Sequence, residues 1–448
     1  MRRRVVVGAI VALAVGLLLA GCTLFEPQAR VVPMSEGITQ EYIVEFATIP
    51  GDLRASVEAA GGVLVNLLEA IDVAVVETND EGIQEIGRLS GVLTVLPNLE
   101  FTLEVPDFLE LESIGDDETY FGLQWALDAI DAPEAWDEGY TGDGVQVAIL
   151  DTGIDGTHPD LVGNVNVDDS ISMVPGDDTL TPVHWHGTHV AGIVAAADNG
   201  VGVIGVAPSA EIISVKVFKA NPENPNAPIG LFEWTLAGIV YAADLGVDVI
   251  NMSLGGYVAH WETPANEANE FINLVRKAVN YAYQKGVVVV CSAGNASWNG
   301  LGDSGILHVP SDVGNGLCVS ATGPVGWAYD PNTDLDLLAS YSDYGPQIDF
   351  AAPGGDAQLY DESDPDPFWH YDMVLSCSPG GFTFAAGTSQ AAPHVAGVAA
   401  LIIEAGGGDM KPAHVLRELR ACADDLGKPG QDIEYGYGRV NAYQAVAP

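Results

Sequence analysis

The chain has little positive charge. Lys and Arg total 16 against 62 Asp and Glu in 448 residues, a formal net charge of −46. A field of that sign repels phosphate backbones and anionic lipid headgroups, which argues against nucleic acid and a charged membrane surface as partners. It favours divalent cations, and it keeps a protein soluble where salt screens its self-repulsion. Cysteine is scarce too. The five residues are Cys22, Cys291, Cys318, Cys377 and Cys422, and no pair has zinc-ligand spacing. Cys291 and Cys318 fall in apolar strand-like runs and read as packed thiols. Cys377 and Cys422 have the option of a bridge in an oxidising compartment. The apolar run Val5 to Ala20 is short for a membrane-spanning helix. What is present is a 48% hydrophobic composition, enough for a large globular core with accessory parts.

Residues 1–22 read as an address. Arg2, Arg3 and Arg4 precede the apolar run, and Leu19-Ala20-Gly21-Cys22 resembles the lipobox of prokaryotic lipoproteins. That resemblance implies cleavage before Cys22 and lipid attachment to it; an ordinary secretory signal or a short anchor is the alternative. The arginines also resemble a twin-arginine signal, but Val5-Val6-Val7 departs from that pattern. Residues 23–37 form a tether with scattered prolines. Over 38–104, strand patterns at Glu41–Phe46, Val63–Leu68, Ala70–Val76 and Val92–Leu96 alternate with helical ones at Leu53–Ala60 and Glu81–Leu89. The order β-α-β-β-α-β predicts a small α+β, ferredoxin-like domain. Residues 105–121 are acidic and aperiodic, an exposed and protease-accessible linker.

From 122 to 448, apolar runs alternate with helical patterns, which predicts an α/β doubly wound domain with a mostly parallel sheet. Ligands bind such sheets outside the C-terminal ends of their strands. Four features belong there. Asp151 ends the strand Val145–Leu150; it has the chemistry to orient an imidazole, or simply to cap a turn. His186 and His189 open a helix; no glutamate completes a zincin motif, so one reads as a base and the other as packed. Asn295 ends Cys291-Ser-Ala-Gly-Asn, as an oxyanion donor or a turn residue. Ser389 starts a helix, in the positive field that suits a nucleophile forming an oxyanion and equally suits a cap. Pro393 is expected among the first four helical positions.

In order, these blocks resemble the subtilisin-like serine proteases, the subtilases. The matching stretches are Val147–Ile154, His186–Gly192, Ser292–Asn295 and Gly387–His394, and the likeness runs from about Gln124 to Gly438. It implies Ser389 as nucleophile, His186 as base, Asp151 as its orienter, and an oxyanion hole from the Asn295 side chain and the Ser389 N–H. Ser253, Leu254, Gly255 and Gly256 match the family's substrate-binding segment, where an extended peptide adds as a strand. No charged residue stands at the matching specificity positions, which implies a broad, apolar-leaning preference. Calcium is the implied cofactor: Asp160 and Asn199 supply side chains, and Ala197, Val201 and Val203 carbonyls. The family's N-terminal side-chain ligand has no matched equivalent. The small domain resembles the family's pro-domain, which implies an intramolecular inhibitor removed by cleavage within 105–120. The implied partners are protein or peptide substrates and that inhibitor, for a monomer reaching a membrane only through lipid on Cys22. The implied location is the cell envelope, or the exterior after processing. The Asp- and Pro-rich stretch Val325–Tyr371 has no match.

Two rival readings share this fold. A catalytically inactive binding protein conflicts with four intact site positions. An esterase would favour Gly-x-Ser-x-Gly, whereas Gly387-Thr-Ser-Gln-Ala391 lacks the last glycine. From the charge balance, both activity and melting temperature are expected to rise from low salt to molar salt; thermal melts and peptide hydrolysis across that range check it.

Overall fold

The computed structural model describes residues 39–102, 120–259, 265–300, 306–360 and 368–447. The expected signal, Cys22, the tether, residues 38, 103 and 104 of the small domain and residues 105–119 of the linker lie outside them.

The small domain is a four-stranded antiparallel sheet with two helices. β1 (Gln40–Phe46), α1 (Leu53–Ala59), β2 (Val63–Leu68), β3 (Val73–Thr78), α2 (Asp80–Ile86) and β4 (Val92–Pro97) follow in turn. The strand order is β2-β3-β1-β4, the arrangement that β-α-β-β-α-β predicts. One boundary moved. Glu69–Ile71 form a 3₁₀ turn closed by Asp72 in the left-handed region (φ 53°), so β3 starts at Val73 and not at Ala70. A short strand, β5 (Glu100–Thr102), leaves this domain.

The larger part begins with α3 (Trp125–Ala129) and α4 (Ala132–Asp137), then β6 (Gln146–Asp151), β7 (Ile171–Ser172) and α5 (His186–Ala195). β8 (Glu211–Lys216), β9 (Phe218–Lys219), β10 (Ile229–Leu231), α6 (Phe232–Leu245) and β11 (Val249–Met252) come next. They lead to β12 (Gly256–Ala259), α7 (Ala265–Lys285), β13 (Val288–Ser292), β14 (Ile306–Val309), β15 (Leu317–Thr322) and β16 (Phe350–Pro353). β17 (Val374–Ser378), β18 (Gly381–Ala385), α8 (Thr388–Ala405), α9 (Pro412–Cys422) and α10 (Ala442–Val446) complete the chain.

Seven strands form the main sheet in the order β16-β15-β13-β11-β6-β8-β7, and every neighbouring pair is parallel. Alternation along a strand sends successive side chains to opposite faces. In β6, Val147 and Ile149 join the core shared with α5 and α8, while Ala148 and Leu150 join the one under α6 and α7. Both faces are thus covered, which is why the strands read as continuous apolar runs. β16 corrects the reading of 325–371 as unmatched insertion. Its four residues, Phe-Ala-Ala-Pro, are too short and too small to show a period, but they form the sheet's edge. Cys377 and Cys422 do not pair; they and Cys291 and Cys318 are buried free thiols.

The small domain rests on α6 and α7. Ile43, Leu68, Ile71, Val73 and Leu96 share one apolar cluster with Leu236, Leu274 and Val275. At its edge the Lys277 ammonium pairs with Glu45 at 3.0 Å. Glu233, in the first turn of α6, accepts from the Asn66 and Asn98 amides at 3.2 and 2.9 Å. Beyond this contact β5 pairs antiparallel with β10, whose other edge pairs with β9, in a three-stranded sheet of order β5-β10-β9.

Candidate active site

β6, β11 and β13 are neighbours in the sheet, so their C-terminal ends lie side by side. Each end, or the turn after it, carries one of the predicted residues. Asp151 closes β6 and is almost wholly buried, 1% exposed. Its carboxylate accepts from His186 Nδ1 at 2.9 and 3.0 Å through its two oxygens, and from the Thr152 N–H at 2.7 Å. His186 is the first residue of α5. Gly187 lets that helix start approach the strand end: a Cβ there would lie 2.3 Å from the Gly153 carbonyl. With Nδ1 donating to Asp151, Nε2 is left as the basic nitrogen. Nε2 is buried and has no hydrogen-bond partner among the described residues.

Ser389 is the second residue of α8 and is 8% exposed. Its hydroxyl donates to the Ser253 carbonyl at 3.3 Å, and among the described residues no hydrogen bond joins it to His186. Ser253 returns the bond: its hydroxyl donates to the Ser389 carbonyl at 2.7 Å. The reason lies in the helix. α8 starts at Thr388, which puts Pro393 beyond the first four positions and corrects that expectation. Proline has no N–H to give the carbonyl four residues earlier, which is that of Ser389. The Ser253 hydroxyl takes the missing donor's place, and is itself held by the Asn251 amide at 3.0 Å.

Asn295 follows β13. Its side-chain oxygen accepts from the Thr388 N–H and hydroxyl, both at 2.9 Å. The amide NH₂ is thereby turned the other way, and it lies 3.6 Å from where a Cβ on Gly387 would stand. Asp151, His186, Ser389 and Asn295 therefore come from two strand ends and two helix starts, with Ser253 of a third strand end holding the start of α8.

The neighbouring histidines are kept neutral by burial. The His184 pKa is lowered to about 4 and that of His189 to about 3, with the charge of a protonated His186 a lesser cause in both. His189 Nε2 bonds the Thr383 carbonyl at 3.1 Å, the packed role expected of it. In the segment 253–256, Leu254 is buried in an apolar pocket with Phe232, Leu236 and Val309. His308 was not picked out from sequence, yet its ring would be 2.3 Å from a Cβ on Gly255. A lone histidine in an apolar strand carries no local signal of its neighbour. Burial lowers its pKa to about 4.

The stretch 197–203 wraps Asp160. This buried carboxylate accepts from the Val203 N–H at 2.9 Å and the Asn199 amide at 3.4 Å. The Ala197 N–H bonds the Asp160 carbonyl at 2.8 Å, and the Val201 N–H bonds Asn199 Oδ1 at 3.0 Å. No lysine or arginine pairs with Asp160 among the described residues, and burial raises its pKa. A buried carboxylate without a cation partner is where a divalent ion's charge would be favoured, but the atoms seen on it are N–H donors, and His158 and Cys377 offer nitrogen and sulfur within 4.8 Å of one of its oxygens. Cys22 lies outside the described residues.

The chain resembles known proteins over this whole region. Residues 142–438 match the model of the subtilase family. The chain is 36% identical over 327 residues to subtilisin Savinase of Lederbergia lenta, covering 72% of this chain and 98% of that one. It is 34% identical over 386 residues to the M-protease of Shouchella clausii, covering 84% and 85%. In fold it is similar to the epidermin leader peptide processing serine protease of Staphylococcus aureus, with TM-score 0.76, 23% identity, and coverage of 92% and 98%. A family model matched from before β6 to beyond α9, together with the identity to these proteases, establishes that the chain belongs to the subtilase family and is a serine-type endopeptidase.

Proposed function

We propose that the protein is an exported endopeptidase made as a zymogen, with Ser389, His186 and Asp151 as its triad and Asn295 as oxyanion donor. One observation carries the reading: Asp151 and His186 form a buried hydrogen-bonded pair whose Nε2 is left without a partner among the described residues, on a helix that packs against the one Ser389 opens. Ser389 Oγ attacks the scissile carbonyl as its proton passes to His186 Nε2. The tetrahedral oxyanion accepts from the Asn295 amide and the Ser389 N–H. His186 then gives the proton to the leaving amine, and water repeats the sequence to free the acid. Throughout, the Asp151 carboxylate holds Nδ1–H and stabilises the imidazolium.

The substrate lies extended along Ser253–Gly256. β10 would offer the facing edge once β5 leaves it, since its other edge is paired with β9. The pairing of β5 with β10 supports the small domain as an inhibitor that feeds its own tail into this cleft. Asp160, Asn199 and the carbonyls of Ala197, Val201 and Val203 would hold calcium, which supplies the positive charge that the buried carboxylate lacks. Cys22 would carry lipid until cleavage within 105–120 separates it from the enzyme.

Ser389→Ala is expected to abolish casein hydrolysis and to leave the chain uncut, while wild type yields a mature N-terminus near 110–122 on Edman sequencing. Casein hydrolysis by the alanine variant would refute the assignment. EDTA should lower the melting temperature of the mature enzyme, and added calcium should restore it. Burial and the nearby Glu41 charge raise the Glu233 pKa in the docked state. Docking is then strongest below the usual glutamate value and weakens as pH rises through the raised one. Inhibition by a separate 38–104 fragment should tighten on acidification, and Glu233→Gln should flatten that slope.

A further inference from the structure

Asp343 is 2% exposed and belongs to neither the triad nor the calcium loop. One of its oxygens accepts from the Ala296 and Trp298 N–H groups at 2.9 and 2.8 Å. The other accepts from the Tyr257 hydroxyl at 2.7 Å. Its own N–H donates to the Gly294 carbonyl at 3.0 Å. Asp343 therefore brackets Asn295 on both sides along the chain. Tyr257 directly follows the segment Ser253–Gly256 and lies in β12. Gly294 leaves room for this junction: a Cβ there would stand 2.4 Å from both Asp343 Oδ2 and the Tyr257 oxygen, and its φ is +111°.

No lysine or arginine pairs with Asp343 among the described residues. Burial, with Asp312 adding to it, pushes its carboxyl up to about 7, against the lowering effect of its three donors. A buried carboxylate lacking a countercharge is costly, and these donors are what hold it in place.

We propose that Asp343 is a positioning residue that locks the Asn295 loop to the substrate segment through Tyr257, so that the oxyanion donor and the bound peptide backbone keep a fixed spacing. This rests on Asn295 as oxyanion donor. A displacement of that donor by about 1 Å is enough to cost about 10²-fold in rate, with little effect on the strand contacts that bind the peptide.

The test is steady-state hydrolysis of a peptide substrate by the processed enzyme. Asp343→Ala should lower kcat about 10- to 100-fold with KM changed less than about threefold. Asp343→Asn keeps an oxygen for the two N–H groups and offers its amide to the Tyr257 oxygen, so it should recover most of that loss. Tyr257→Phe should lower kcat several-fold by itself, and it carries the test if the alanine variant fails to fold. In an Asn295→Ala background, Asp343→Ala, or Tyr257→Phe in its place, should add almost nothing to the loss in kcat. A full additive loss in that background would overturn the proposal, as would an effect on KM alone or equal failure of the asparagine and alanine variants. If Asn295→Ala leaves kcat unchanged, the oxyanion assignment itself fails and takes the proposal with it.

Discussion

The hydrogen-bond ladders joining β13, β11 and β6 are the constraint on which the site depends. Their register pairs Val147 with Val249 and Val249 with Val288. Counting two residues on from the next-but-one rung puts Asp151, Ser253 and Ser292 at about one level. Adjacent strands are about 4.8 Å apart, so three consecutive strand ends span about 10 Å. That is the scale of a scissile bond with its base on one side and its oxyanion donor on the other. A slip of one residue of β6 against β11 would turn Asp151 to the opposite face and remove it from His186. Parallel pairing enforces the convergence, since all three ends point the same way.

Strand ends alone leave gaps that the helices fill. α5 brings His186 to Asp151, and α8 brings Ser389 to Ser253. The contact at α8 depends on a deficit. Pro393 removes a backbone donor, and a side chain from the neighbouring strand end supplies the replacement. A buried carbonyl left without a partner costs about 1–3 kcal/mol, so the helix start and the strand end are bound by a mutual requirement. Thr388 makes the same kind of link to Asn295, donating both its N–H and its hydroxyl to one side-chain oxygen. Because that oxygen is engaged, the amide's orientation is fixed before any substrate arrives, which is the preorganisation that an oxyanion donor needs.

Sequence displayed the parts of this that are local. The runs Gln146–Asp151, Val249–Met252 and Val288–Ser292 are mostly apolar because both faces are covered, and each is followed within two residues by serine or glycine. Ser389 and His186 were legible as helix starts for the same reason. The parts that stayed hidden depend on contacts between distant stretches. Asp343 lies in a polar run with no period, and its partners, Tyr257 and the 296–298 turn, are far away in the chain. β16 has four residues, and its strand character comes from pairing with β15. Pro393 would be harmless only in a helix that starts at Gln390 or later; the start two residues earlier, at Thr388, leaves the Ser389 carbonyl open. The pairing of β5 with β10 joins residues of two domains, which no local pattern records.

That last pairing bears on how the proposed zymogen would be released. If the chain is cut after β5, the tail stays attached to the small domain, whose apolar contact with α6 and α7 is unaffected by the cut. Before cleavage the tail is intramolecular and its effective concentration is in the millimolar range for a short linker; afterwards only the domain contact holds it. Scission then converts a tethered inhibitor into a dissociable one without itself opening the cleft. The remaining grip includes Glu233, which is sensitive to pH, and the Lys277–Glu45 pair, which is sensitive to salt. Under that proposal, release is governed by the pH and salt of the surrounding medium, and a chain so rich in acidic groups registers both of those variables.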